Sequence, residues 1–121
     1  MVESSREIPR GVWRQYFDDF SRNLPALLAS VEVAGPETGA QVEVDHGVLT
    51  GITYDDRDDI VVIGLDAPPG GTREDVERTV SQPEQIYVAG DEGGEAVFDI
   101  EDAEGNKTLV RVEPAPALPP A

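Results

Sequence analysis

The stretch PRGVWRQYFDDFSRNLPALLASVEVAG (residues 9–35) changes its period part-way through. Trp13, Tyr16, Phe17, Phe20 and Leu24 recur at steps of three and four, which makes one broad apolar stripe on a helix. Pro9 suits the first helical turn, and Pro25 stops the run. Gly11 weakens the helix by about 1 kcal/mol against alanine. Past Leu27 the step becomes two. Val31 and Val33 fall on one face of a strand, Ser30 and Glu32 on the other. The spacing therefore predicts one helix over residues 9–24, followed by strands. Four of the seven aromatic residues lie on the helical stripe, so the helix is expected to cap a β core.

The period of two persists downstream. GPETG (35–39) reads as a turn, and AQVEVD places Val42 and Val44 inward. A second turn is expected at 45–47, before HGVLTGITYD. Ile60 to Leu65 are apolar on both parities, which predicts a central strand covered on both faces. PPGGTRED (68–75) is a long loop, VERTV a short strand, and SQP a tight corner into EQIYVAG. DEGG turns into EAVFDIE, and DAEGN supplies a hairpin turn into KTLVRVE. Residues 114–121, PAPALPPA, cannot sustain ladder hydrogen bonds and form an extended, disordered tail.

One helix and about seven or eight strands with hairpin-length links leave no helical crossover, so the sheet is antiparallel. A closed or half-closed barrel is the natural way to hide its edges. The expected class is α+β, mainly β, with residues 1–113 forming one domain. The tight corner at Ser81–Pro83, between Thr79–Val80 and Ile86–Val88, resembles the SH3-like and Sm-like small barrels over residues 9–89. It leaves the hairpin at 95–113 as a C-terminal extension. Sm-like RNA binding does not carry over, because its basic loops have no counterpart here.

Two further segments are more specific. REIPRGVW opens with R-x-I-P-R (Arg6 to Arg10), and residues 35–43 read G-P-x-x-G-A-Q-V-E. With GITYDDRDD (51–59) they resemble a bacterial family of small acidic proteins known only as a domain of unknown function, from Arg6 to about Val112. That resemblance implies a stand-alone domain and brings no activity, ligand or catalytic residue.

Charge narrows the partners. Nine bases against 25 acids give −16. Residues 1–22 hold four arginines and four acids, so residues 23–121 carry the whole surplus, five bases against 21 acids. Such a surface repels phosphate backbones and anionic membranes and favours cationic partners. Lys107 is the single lysine, as a high-salt cytoplasm or GC-rich codon usage would each produce. With no cysteine there is no disulfide, thiolate metal site or cysteine nucleophile. The N-terminal residues lack the apolar core of a signal peptide, and no run is long enough to span a bilayer. The expected location is cytoplasmic.

Few residues suggest chemistry. Asp55, Asp56, Asp58 and Asp59 crowd one link, but an EF-hand pattern fails at Arg57 and at Ile60. Aspartate is also an ordinary turn former, so these four read as a turn rather than a cation site. The same holds for GDEGGE (90–95). His46, the lone histidine, sits in a turn-like context with no G-x-S-x-G elbow to present a serine. PPGGT (68–72) lacks the lysine of a phosphate loop. PALP (116–119) lacks the flanking cation of a docking motif. No catalytic residue, cofactor or metal ligand is assigned. Arg10, Arg14, Asp18 and Arg22 line one helix face, where Arg14 and Asp18 are expected to pair. The alternative is that this face meets the acidic barrel of a second copy, giving a homodimer. The expected function is protein contact without catalysis, with a basic partner or with itself. The alternatives are a small-ligand site or enzyme in a carboxylate-lined barrel mouth, and an acidic mimic of nucleic acid.

Overall fold

A computed structural model describes residues 5–22, 24, 26–36, 39–66, 76–90 and 95–114. Eight strands form one antiparallel sheet: β1 (Arg6–Glu7), β2 (Leu27–Gly35), β3 (Gly39–Asp55), β4 (Ile60–Asp66), β5 (Val76–Ser81), β6 (Pro83–Ala89), β7 (Ala96–Asp102) and β8 (Lys107–Pro114). Their spatial order is β1-β6-β7-β8-β2-β3-β4-β5. Among the described residues there is one α-helix, α1, which spans Trp13–Arg22 and is entered through a 3₁₀ turn at Arg10–Val12. Helical residues therefore begin at Arg10, and Pro9 is the cap rather than the first helical residue.

Burial alternates along the strands, as the sequence predicts for β2 and β7; in β4, apolar on both parities, only the structure separates the two faces. Leu27, Ala29 and Val31 of β2 are buried, as are Val61, Ile63 and Leu65 of β4 and Ala96, Phe98 and Ile100 of β7. The helical stripe does what its spacing predicts. Trp13 and Phe17 are buried, and Tyr16, Phe20 and Leu24 pack against the core from its margin. Phe17 and Phe20 meet Phe98 at ring-centroid distances of 5.6 and 5.3 Å, and Trp13 meets Tyr54 edge-on at 5.2 Å. The helix thereby bridges β3 and β7, two strands far apart in the sheet order.

Four expectations change. The ladder is open: β1 and β5 are its edges, and no ladder closes it into a barrel among the described residues. Instead one residue, Gln82, turns the chain from β5 into β6 with φ 54°. This is the expected tight corner, and it joins one edge strand to the neighbour of the other. Second, residues 45–47 are not a turn. β3 runs unbroken for 17 residues, with register shifts where it pairs with Ala29, Val31 and Glu32. A bulge inserts residues without ending the strand, and the added twist helps a long strand follow a curved sheet. Third, the hairpin β7–β8 is no appendage. It lies between β6 and β2 and supplies the wall that connects them. Fourth, β4 is next to an edge rather than central. One of its faces is buried, and Ile60 and Val62 on the other are half-buried.

Pro114 closes β8 opposite Leu27, and residues 115–121 lie outside the described set. So do the loop at 67–75, residues 91–94, and the side chains of Val42, Val44 and His46.

Candidate functional site

The link between β3 and β4 carries the four aspartates, and each has a definable position. The Asp55 carboxylate accepts the Arg57 and Asp58 amides at 2.9 and 3.3 Å. That is how a short polar side chain closes a turn. Asp59 sits at φ 54°, in the left-handed region that ends the turn. Its carboxylate accepts the Tyr54 hydroxyl at 2.7 Å, and its carbonyl accepts the Gln82 amide at 2.9 Å. Asp56 lies 3.6 Å from Arg14, so Arg14 reaches across to the turn rather than along its helix to Asp18.

The R-x-I-P-R segment converges on the same place. Glu7 pairs with Tyr87 of β6, and the Ile8 amide donates to the Ile86 carbonyl at 2.8 Å. The Ile8 carbonyl accepts the Trp13 indole N–H at 2.7 Å. Arg10 then lies over the Trp13 ring, 4.3 Å from its centroid. Its guanidinium donates to the Pro83 carbonyl at 2.6 Å and approaches Asp59 at 3.4 Å and the Tyr54 hydroxyl at 3.5 Å. Thus Arg10, Tyr54, Asp59 and Pro83 tie together the N-terminal turn, the β3–β4 turn and the β5–β6 corner. The motif's residue types follow: isoleucine for the core, proline for the cap, arginine for a planar fork that both stacks and donates.

Beside this junction is a solvent-open cleft of about 400 Å³, lined by Arg14, Asp18, Tyr54, Asp55, Asp56 and Arg57 among others. Its chemistry is limited. Burial, and then the hydrogen bond to Asp59, push the Tyr54 hydroxyl above its ordinary value, away from neutral pH. Among the described residues, no three Asp, Glu or His side chains are grouped to hold a metal ion.

Sequence reasoning missed two positions. Ser21, at the end of α1, accepts the Ile52 amide at 2.9 Å and donates to the Ile52 carbonyl at 2.8 Å. β2 starts at Leu27 and reaches only as far as Val48 on β3, so among the described residues β3 beyond that point has no strand on the side away from β4. One serine hydroxyl stands in for that strand. Asp99, on the outer face of β7, is the second. Burial pushes its carboxyl above the usual carboxylate range, and the neighbouring Glu101 adds to the effect while Lys107 opposes it. One Asp99 oxygen is buried without a hydrogen-bond partner in the structure. Nothing in the stretch FDIED marks its first aspartate as special, because how far Asp99 is buried is set by the packing around β7 and not by the residue pattern.

A family model described as a family of unknown function (DUF5335) matches residues 4–121. The chain belongs to this family. It is the kind of family that the R-x-I-P-R and G-P-x-x-G-A-Q-V-E segments suggest. An uncharacterized protein of Aquifex aeolicus (strain VF5) is 35% identical over 116 residues, covering 96% of this chain and 98% of the relative. No solved structure matches. Among the described residues, no helix is long and apolar enough to cross a membrane.

Proposed function

We propose that the chain is a non-enzymatic protein-contact domain that works in the cytoplasm, its acidic surface taking a basic partner or another copy of itself. The observation that carries this reading is a mismatch of place. Among the described residues, the carboxyl with the raised pKa is Asp99, on the outer face of the sheet, and it lines none of three clefts, those beside Arg111, Arg14 and Arg78. A catalytic carboxyl needs its perturbed proton inside the pocket that holds substrate. The aspartates that looked most like a ligand set are instead spent on turn geometry and on Arg10 and Arg14. What remains for recognition is charge: 21 acids against five bases beyond residue 22. That balance steers basic surfaces toward the protein.

The same pairs weaken one mode of self-association. Arg10 and Arg14 already face Asp59 and Asp56 within the chain, so the helix arginines offer little to a second copy.

The test is affinity capture from the native cytoplasm on immobilised full-length chain, eluted with a salt gradient. A basic protein that elutes at moderate salt, and whose binding is lost to a variant with neutralised surface acids, supports the reading. Recovery of a small metabolite in its place, turned over by the purified chain, overturns it.

A further inference from the structure

The two edges of the sheet are unequal. β1 is two residues long and offers little to pair with. β5 presents six residues, Val76–Ser81, and among the described residues it is bonded on one side only, to β4. Which backbone groups face outward follows from the register. The Gln82 amide bonds the Asp59 carbonyl, so these two form a hydrogen-bonded pair at the end of the β4–β5 ladder. Antiparallel pairs alternate, so Val61–Val80 and Ile63–Arg78 are hydrogen-bonded as well. Arg78 and Val80 therefore turn their amides and carbonyls toward β4. Glu77, Thr79 and Ser81 turn theirs toward the open side. The alternation carried on into β3 turns Ile52 away from β4, where Ser21 receives both of its groups.

We propose that two copies of the chain pair through β5, as antiparallel strands about a two-fold axis at Thr79. This deepens the self-contact branch of the protein-contact reading by naming its surface. A two-fold axis perpendicular to the sheet keeps inner face beside inner face, so outward-bonding residues meet one another. Centred on Thr79, each Thr79 exchanges both bonds with its copy, and Glu77 faces Ser81 of the second copy. About six hydrogen bonds form, and every outward group is used. The neighbouring registers are worse. Centring on Arg78 sets two guanidinium groups directly opposite, and centring on Glu77 does the same with two carboxylates. Centring on Val80 leaves Glu77 with no partner in the strand. Arg78, which points to the inner face as an edge guard would, thus excludes one register and permits another, opposite Val80 of the second copy.

Among the described residues the edge is open to approach. A cleft of about 370 Å³ runs beside it, lined by Glu77, Arg78, Thr79 and Val80 and floored by residues of β2 and β8. Charge opposes the pairing, since each copy carries −16. The contact is made of backbone bonds, so added salt screens the repulsion and strengthens it, opposite to an ion-pair dimer. A six-residue edge is a small interface, so association belongs with weak, transient contacts.

Sedimentation equilibrium of the full chain tests this, at about 0.05 M and about 1 M NaCl. The expected mass rises with concentration from 13.0 kDa toward twice that value, and more steeply in high salt. Thr79→Pro removes an amide that faces outward, so it spares the β4–β5 ladder while weakening association by about tenfold or more. Thr79→Lys sets two like charges opposite and acts the same way. Melting curves establish that both variants stay folded. The wild-type chain has no cysteine, so Thr79→Cys crosslinks to its own copy under mild oxidation, faster than Glu77→Cys or Ser81→Cys. A monomer at every concentration and salt overturns the proposal, as does crosslinking no faster at position 79 than at 77. Either result leaves the basic-partner branch to the capture experiment.

Discussion

Replacing Ser21 by alanine isolates the one hydroxyl that joins helix to sheet. The wild-type side chain makes two bonds with Ile52, at 2.8 and 2.9 Å, on a stretch of β3 that β2 does not reach. Each bond contributes about 0.5–1.5 kcal/mol net, so their joint loss costs about 2 kcal/mol. Alanine returns about 0.5 kcal/mol through its higher helix propensity. The net expectation is a loss of about 1.5 kcal/mol. For a chain of this size that lowers Tm by about 6 °C. Urea unfolding read by tryptophan fluorescence suits the measurement, because Trp13 is the single tryptophan and is buried by the helix. The midpoint should fall with the slope unchanged, since the surface exposed on unfolding is the same. Gln15→Ala is the control: its bond to Asp19 lies on the exposed side of the same helix and carries about 0.3 kcal/mol. If Ser21→Ala is no more destabilising than Gln15→Ala, the hydroxyl is not replacing a strand and the account of the β3 edge is wrong.

Other outcomes follow from the same structure. Phe17→Ala empties a fully buried site against Phe98 and should cost about 3–5 kcal/mol, close to unfolding a domain of ordinary stability; a loss under about 1 kcal/mol by denaturant titration would mean that the helix does not seat in the core. Gln82 holds a left-handed φ at the corner, so Gln82→Val should destabilise by about 1–2 kcal/mol while Gln82→Gly is close to neutral; equal thermal shifts for the two would remove the backbone explanation. Asp99→Asn should stabilise the fold at neutral pH, because the carboxyl's pKa is raised on folding and its charged form is the disfavoured one. The sign gives a pH dependence: as pH falls through the raised value the wild-type carboxyl takes up its proton, and the advantage of asparagine shrinks. Denaturant curves at several pH values that show a constant or growing gap would contradict this.

The sequence by itself determined the parts governed by neighbours a few residues apart. The change of period after Leu27 marks where helix gives way to strand, and alternation in β2 and β7 sets which side chains face the core. The glycine and asparagine of DAEGN mark the hairpin turn, where Gly105 has φ 85° and Asp102 accepts the Glu104 and Asn106 amides. Asp55 was legible as a turn former for the same reason: the Arg57 and Asp58 amides that it accepts lie two and three residues away, whereas Asp56 and Asp59 meet Arg14 and Arg10 from the distant N-terminal segment. Tertiary structure alone decided what depends on distant segments. Local pattern does not fix strand order, so the place of the last hairpin between β6 and β2 was not legible, nor was β4's position beside an edge strand. His46 and its neighbours looked like a turn because a bulge and a turn share polar, flexible residues. Ser21 owes its role to backbone brought from 31 residues away, and Asp99 owes its raised pKa first to burial, which only the packed sheet supplies. A serine's worth depends on whether an edge lies beside it, and an aspartate's pKa on what buries it, and neither is written in the residues that flank them.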